Sequence, residues 1–490
     1  MFMKKNLVLS LCLVLAVGLL CLGASDKNPK LEERIARVES GLLKAVHIKG
    51  QPVVPMKIWS RMDHFKVPGV SIAVINDFEI EWAKGYGVKE TGKKSPVTPQ
   101  TLSQAASISK PVTALAALRL VQAGVLGLDD DVNAKLISWK VPENGFTEKK
   151  KVTLRGLLSH TAGLTVHGFR GYAQGEPIPT LRQVLDGEKP ANSAPIRVDI
   201  LPGSQMRYSG GGYTVLQQLL IDLKKEPFPK IMEELVLKPV SMNQSTCEQP
   251  LPKSRGGSEA IAHGSDGLPI KGKWHSYPEL AAAGLWTTPS DLCRYAIEIT
   301  QAWAGKSNKI LSQDMARKML TRGLVGYGLG LALSGEGENL SFAHGGSNEG
   351  FQCYLVAFPA KGMGAAVMTN GDKGSSLFSE VLRSIAKEYG WSDFLPKEKE
   401  VRPVDPKVFE FYVGKYQLAP DFFLVITQED GRLFAAPTGE PKSEFFPESE
   451  VKFFAIERDA EVTFLKDTNG QFSELVLNYL GGQMKGKKVK

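Results

Sequence analysis

The sequence predicts an α+β domain followed by an antiparallel β-domain, and three observations carry that prediction. Strand signals stand at Val70–Ile75 and Ile80–Ala83, and again far downstream at Phe351–Phe358 and Gly364–Thr369. Between them, from about Thr153 to Leu320, helical patterns alternate with Gly/Pro-rich loops. Beyond a Pro- and charge-rich stretch, Asp-Gly and Asn-Gly pairs each separate two apolar runs, a strong hairpin signal. Strands at both ends of a helical middle imply one sheet completed by distant segments, with a helical lobe inserted between them.

The expected mature chain opens with a charged, helix-like stretch from Leu31 to Val46. Val67-Pro68-Gly69 then leads into the first strand, and a turn near Asn76-Asp77 makes it a β-hairpin with Ile80–Ala83. Ala105 to Pro111 introduces an apolar helix that runs to Ala123, with Gly124 as its stop. A further helix spans Ser376 to Tyr389, and residues 396–406 read as a linker. In the tail, Phe422–Thr427 and Arg432–Ala436 flank Asp430-Gly431, while Glu461–Leu465 and Phe472–Tyr479 flank Asn469-Gly470. Residues 407–490 therefore form an antiparallel β-domain, for which a small closed barrel is one solution.

The 490 residues leave room for two or three domains at ~150 residues each. A hydrophobic share of 42% and a charged share of 23% exclude global disorder. The net charge of +8 invites a nucleic-acid reading, but its location argues otherwise. Lys4, Lys5, Lys485, Lys487, Lys488 and Lys490 supply six of the positive charges, leaving 54 basic and 52 acidic residues between the ends. A nucleic-acid partner needs a basic stripe on a folded face, and none is visible. The terminal lysines read instead as a signal-peptide n-region and a solvated tail.

Residues 1–24 look like an export signal: Lys4-Lys5, an apolar run from Leu7 to Leu22, and a cut near Ala24. The run is shorter than the ~20 residues of a comfortable membrane span, with an uncleaved anchor as the alternative. Leu20 argues against lipid modification of Cys21, since a small residue is wanted there. The expected location is periplasmic or secreted. Cleavage leaves Cys247, Cys293 and Cys353, which fit neither a zinc pattern nor a disulfide framework, allowing one pair at most.

Ser107-Ile108-Ser109-Lys110 is the candidate for chemistry. On a helix start, positions i and i+3 share a face with Cβ atoms ~5–6 Å apart, so an amine can reach the hydroxyl. A serine becomes a nucleophile when a neighbouring base takes its proton. A neutral lysine can do so, and burial at the positive end of a helix favours the neutral form. The spacing alone proves little, because Ser384–Lys387 and Ser449–Lys452 share it; they read as a surface-helix pair and a coincidence within the β-domain. No His-Glu-x-x-His, clustered Cys/His, Gly-x-Ser-x-Gly or phosphate loop occurs, so no metal or cofactor is expected. His160 reads as structural near the site and His263 as a packing residue.

Ser107 gains weight from its company: Val152–Leu164 with Leu158-Ser159-His160-Thr161, Tyr208-Ser209-Gly210-Gly211-Gly212-Tyr213, Ala282–Thr288, and His344-Gly345-Gly346-Ser347-Asn348-Glu349-Gly350-Phe351. Over residues 35–390 the chain resembles the serine β-lactamase and penicillin-binding-protein superfamily, in its class C-like branch of peptidases and esterases. The resemblance implies a β-lactamase/transpeptidase-like fold, an antiparallel sheet flanked by helices with a helical lobe, over residues 25–395. A lipocalin-like β-barrel at 407–490 would follow.

The resemblance also implies roles. Ser107 would be the nucleophile, with Lys110 or Tyr208 as acylation base, a choice that is disputed for such enzymes. His344-Gly345-Gly346 would match the Lys-Thr-Gly strand, and the backbone N–H groups of Ser107 and Ser347 would form the oxyanion hole. Gly210 and its neighbours would let backbone approach substrate. Two departures stand out. The family's Tyr-x-Asn reads Tyr208-Ser209-Gly210, losing an amide, and the Lys of Lys-Thr-Gly is His344, expected to titrate near neutrality. Both weaken a β-lactamase reading and favour a peptidase or amidase acting on D-amino-acid-containing, cell-wall-type peptides. A carboxylesterase and a β-lactamase are the alternatives, with β-lactams as possible ligands. A non-catalytic binding protein is the rival of another class, against which Ser107, Lys110 and Tyr208 speak together; a lipophilic-ligand barrel in the tail is a second. Nothing in the sequence sets the oligomeric state.

Overall fold

The computed structural model describes residues 29–439, 442–479 and 482–489. The expected signal peptide at 1–24 lies outside these residues. Helix α1 (Pro29–Ser40) and α2 (Ile58–Phe65) precede the hairpin of β1 (Gly69–Asn76) and β2 (Glu79–Gly87). Asp77 and Phe78 both take positive φ between them (49° and 63°), the geometry that a tight two-residue hairpin turn demands. The helical lobe carries α3 (Ser109–Gln122), α4 (Gly210–Lys224) and α5 (Pro289–Trp303). The chain then returns as β3 (Ala332–Ser334), β4 (Ser341–Asn348), β5 (Phe351–Phe358) and β6 (Met363–Thr369), closed off by α6 (Gly374–Tyr389).

The strands form one six-stranded antiparallel sheet in the order β2-β1-β6-β5-β4-β3. As expected, β1 pairs with β6 from the far end of the domain, Val70 opposite Thr369 and Ile75 opposite Gly364. Alternate side chains point to opposite faces of a strand, and here both faces are dry. Val70, Ile72 and Val74 of β1, with Val356 and Phe358 of β5, pack under α1, α2 and α6. Ala73 and Ile75, with Cys353, Leu355 and Ala357, pack against the helical lobe. That burial on both faces explains why these strands read as nearly continuous apolar runs.

Strands β7 (Gly414–Ala419), β8 (Phe422–Glu429), β9 (Arg432–Pro437), β10 (Ser443–Pro447), β11 (Lys452–Ala455), β12 (Ala460–Lys466), β13 (Phe472–Tyr479) and β14 (Gly482–Val489) follow. They close into an eight-stranded antiparallel barrel, β14 pairing with both β13 and β7. Eight strands leave an interior about wide enough for side chains to fill. Leu424, Ile426, Leu433, Phe445, Phe453, Val462, Phe464 and Leu475 do so, and Phe409 and Tyr412 from the preceding turn join them. The interior is packed core, which removes the basis for a ligand-carrying barrel.

Two further expectations are corrected. The lysine-rich end is not a solvated tail: Lys485, Lys487 and Lys488 lie on β14, with Lys485 2.6 Å from Glu474 on β13. Its barrel-side positions are Met484, Gly486 and Lys488, so no apolar alternation announced a strand. The segment 396–406 is more than a linker, because Lys397–Lys399 pairs in parallel with Val46–Ile48. Ala45, Val46 and Ile48 also pack on Phe454, and the Val46 N–H donates to the Ile456 carbonyl at 3.1 Å, docking the barrel on the sheet domain.

Candidate active site

Ser107 sits in a 3-10 turn, Ala106–Ile108, that runs into α3. From Thr101 to Leu118 it is the one residue that is not buried. Ala106 before it takes φ 48°, a left-handed conformation costing a non-glycine residue about 1–3 kcal/mol unless its surroundings hold it. They do. The Ser109 hydroxyl donates to the Ala106 carbonyl at 2.6 Å and accepts the Leu285 N–H at 3.0 Å, while the Ala105 N–H reaches the Leu285 carbonyl at 2.8 Å. The turn therefore projects one hydroxyl from a fully packed wall.

Lys110 lies one turn on, 1% exposed. Its Nζ donates to Ser107 Oγ at 3.0 Å and to the Ala282 carbonyl at 2.9 Å. It also stands 4.9 Å from the centre of the Tyr208 ring. Tyr208 is delivered by the segment that caps α4: Ser209 is the N-cap, its hydroxyl accepting the Gly212 N–H at 2.9 Å. Tyr208, about a hundred residues further along the sequence, is thus brought beside the Ser107–Lys110 pair. The competing Ser-x-x-Lys pairs are structural. The Ser384 hydroxyl donates to the Val38 carbonyl at 2.8 Å, tying α6 to α1 from a buried position and not from the surface. Ser449 accepts the Lys452 N–H in the turn before β11.

Strand β4 forms the opposite wall. Gly346 is there because nothing larger fits: a Cβ would lie 2.2 Å from the Ala105 carbonyl oxygen and 2.5 Å from Cys353 Sγ. Asn348 on the same face donates to Gln104 at 2.7 Å and to the Ala283 carbonyl at 3.2 Å, fixing the strand to both sides of the Ser107 turn. His344, Gly345, Gly346 and Ser347 line a cavity of ≈ 730 Å³ together with Ser107, His167 and Tyr208.

His344 differs from expectation. Its Nδ1 lies 2.6 Å from the Gly345 carbonyl, an acceptor only, so that nitrogen carries the proton. Burial first, and then Lys110, push its pKa down to about 3, so it is neutral at physiological pH instead of titrating near it. Its Nε2 is buried with no partner among the described residues, leaving an unused lone pair. A neutral acceptor replaces the cation that the Lys-Thr-Gly pattern would supply.

Two more histidines crowd Tyr208. His160, expected as a structural residue, holds φ 58° and accepts the Ser209 N–H through Nδ1 at 3.1 Å, 4.2 Å ring to ring from Tyr208. Burial drives its pKa well below the usual value, with Lys110 adding to it. His167, which no spacing announced, stands 4.9 Å from the Tyr208 ring. His263 lies away from the cleft, its Nδ1 2.8 Å from the Asn370 carbonyl and its Nε2 accepting the Thr91 N–H at 3.0 Å. Gly210 is a correction. It is buried, its N–H bonds the His167 carbonyl at 3.0 Å, and a Cβ would press on Phe169 at 3.0 Å; its smallness serves loop packing and not substrate approach. Among the described residues, Cys247, Cys293 and Cys353 are buried free thiols. No group of metal-binding side chains occurs among the described residues.

Fold and site define the class of β-lactamase-fold serine hydrolases. Residues 58–388 match the family model described as beta-lactamase, and the chain belongs to that family. Residues 398–489 match a second model, a domain of unknown function. Protein flp of Staphylococcus aureus is 27% identical over 322 residues, 62% of this chain and 60% of its own length. The chain thus spans about three fifths of that relative. Among solved structures, the octameric penicillin-binding protein homologue from Pyrococcus abyssi aligns over 87% of this chain and 98% of its own (TM-score 0.57, 22% identity). The D-amino acid amidase from Ochrobactrum anthropi SV3 aligns over 74% and 99% (TM-score 0.56, 19% identity).

Proposed function

We propose that the protein is an exported serine hydrolase that cleaves amide bonds of D-amino-acid-containing or cell-wall-type peptides through an acyl-enzyme on Ser107. The observation that carries this reading is the 3.0 Å contact between Lys110 Nζ and the one unburied side chain of an otherwise closed wall. In the acylation step Ser107 Oγ attacks the substrate carbonyl carbon and its proton passes to the Lys110–Tyr208 pair. Negative charge builds on the carbonyl oxygen, for which the backbone N–H groups of Ser107 and Ser347 are the donors. The carbon–nitrogen bond then breaks as the pair returns the proton to the leaving amine, and water releases the acyl group by the same steps reversed. Export is supported by the lysine-flanked apolar run before residue 25.

His344 narrows the substrate. A neutral ring offering a lone pair accepts a hydrogen bond from an ammonium or amide N–H and gives no charge to a carboxylate beside the scissile bond. This favours amides over β-lactam antibiotics, and it also leaves room for a second reading as a carboxylesterase. The test is labelling with a fluorophosphonate and a fluorescent penicillin, the adduct mapped by mass spectrometry with Ser107→Ala as control. Failure of every probe to label Ser107 would sink the serine mechanism. Turnover of a D-aminoacyl amide, a short acyl ester, a D-Ala-D-Ala peptide and a chromogenic cephalosporin then ranks substrates; rapid cephalosporin cleavage would overturn the peptidase preference.

A further inference from the structure

The cavity that holds Ser107 does not end at the chemistry. Its far wall is built by Arg383 on α6, by Lys397, and by the barrel turn Glu457–Asp459 with Tyr479. Most of the charges near that end are matched in pairs. Arg61 takes both oxygens of Glu380, each at 2.8 Å, and Lys397 takes both oxygens of Asp459 at 2.9 and 2.7 Å. Glu457 faces Lys44 at 3.6 Å and His64 at 4.0 Å.

Arg383 is left over. Among the described residues its guanidinium makes one hydrogen bond, from Nη1 to the Leu43 carbonyl at 3.3 Å, and no ion pair. A guanidinium has five N–H donors and stays charged in a protein. The two carboxylates whose fields reach it, Glu380 and Asp459, are those already claimed by Arg61 and Lys397. Arg383 lines the open cavity, so its unfilled donors are accessible from the cleft, and its fork matches a planar carboxylate.

We infer that Arg383 forms an anion subsite at the barrel end of the cleft, which takes a carboxylate carried by the substrate at a distance from the bond broken at Ser107. The inference rests on the serine-hydrolase reading for its chemistry but not for its binding. It gives the cleft two unlike ends: beside Ser107 a neutral acceptor, His344, and at the barrel a fixed cation. The substrate class it selects is an extended acyl compound, neutral at the scissile bond and acidic at its far terminus.

The test uses p-nitrophenyl esters of linear dicarboxylic acids of increasing length, each beside its methyl-capped counterpart. A second series carries the carboxylate on the leaving group. The full chain is expected to prefer the free acid about tenfold in kcat/KM at one length in one series. Arg383→Gln should bring that ratio near unity, mainly through KM, and Arg383→Lys should keep part of it. Calorimetric titration of suberate into Ser107→Ala protein reads the subsite without turnover, and Arg383→Gln should abolish the signal. Suberate binding without any labelling of Ser107 would uphold the subsite and remove the serine mechanism. Labelling of Ser107 with no acid preference in either series and no suberate binding would overturn the subsite alone. If Arg383→Gln lowers the melting temperature, Arg383→Lys decides: equal loss on acid and capped substrates overturns the subsite, and a retained preference supports it.

Discussion

The Ser107 cleft and the barrel interior are both walled by aromatic rings, yet they finish their polar atoms differently. Inside the barrel Tyr412 stacks on Phe464 at 4.1 Å, and its hydroxyl donates to the Glu450 carbonyl at 2.7 Å; the Tyr416 hydroxyl donates to the Tyr412 carbonyl at 2.9 Å. In the cleft, Tyr208 is ringed by His160, His167 and His344 beside ≈ 730 Å³ of open space, and among the described residues His160 Nε2 and His344 Nε2 are buried without partners. A buried polar group normally finds a partner, so one left waiting marks where a ligand completes the structure. His263 is the internal control: equally buried, it uses both nitrogens on backbone and belongs to the scaffold.

That contrast can be broken most directly at Ser107. Ser107→Ala should cost about 10⁴-fold or more in turnover while leaving the melting temperature unchanged, because it removes a hydroxyl from an open surface; steady-state kinetics beside a thermal melt checks both. Phe453→Ala should do the reverse in the barrel. Removing a wholly buried ring costs about 3–5 kcal/mol in a denaturant titration, and labelling of Ser107 should persist in the folded fraction. Gly346→Ala couples the two kinds of effect: with a methyl aimed 2.2 Å from the Ala105 oxygen, overpacking should cost about 1–3 kcal/mol and displace β4 from the Ser107 turn, seen as lost stability together with lost labelling.

A fourth test is acid. His344 has a folded pKa of about 3, below its unfolded value of 6.5, so between those limits the unfolded chain binds more protons. Its contribution to stability is therefore complete above pH 6.5 and shrinks as pH falls, by up to about 1.4 kcal/mol per pH unit. Denaturant midpoints measured from pH 7 to 4 should show a shallower slope in His344→Gln than in the parent. The smallest effect belongs to the partly exposed Lys397–Asp459 pair, whose loss in Lys397→Ala should cost about 0.2–1 kcal/mol and lessen with salt, read by melts at low and high ionic strength.

The architecture was legible because its signals are local and redundant. The β1–β2 and β8–β9 hairpins announced themselves through turn residues that need positive φ, and Asp430-Gly431 adopts it at 49° and 71°. Ser107, Lys110, Tyr208 and the His344–Ser347 strand were found through a family pattern, since no periodicity joins residue 107 to residue 344. What stayed hidden depends on distant partners. Strand β14 offers only Met484, Gly486 and Lys488 to the barrel side, so its place is decided by β7 and β13 and not by its own composition. The charge state of His344 is set by burial and by a backbone carbonyl, neither of which residue type reveals. Nothing in the sequence singles out Arg383; what does so is that the carboxylates nearest it are held by Arg61 and Lys397.

The seam between β7 and β14 has a consequence for how the molecule is made. The wall that Glu457–Asp459 and Tyr479 give to the cleft belongs to a barrel that closes only when Gly482–Val489 lies beside Gly414–Ala419. Ser107 and Lys110 emerge early in translation, but on a ribosome synthesising at about 5–20 residues per second they wait tens of seconds for that last strand. A nascent chain stopped before β14 would carry Ser107 without the finished pocket, and a frameshift in the codons of β14 would reshape the far end of the cleft without touching Ser107.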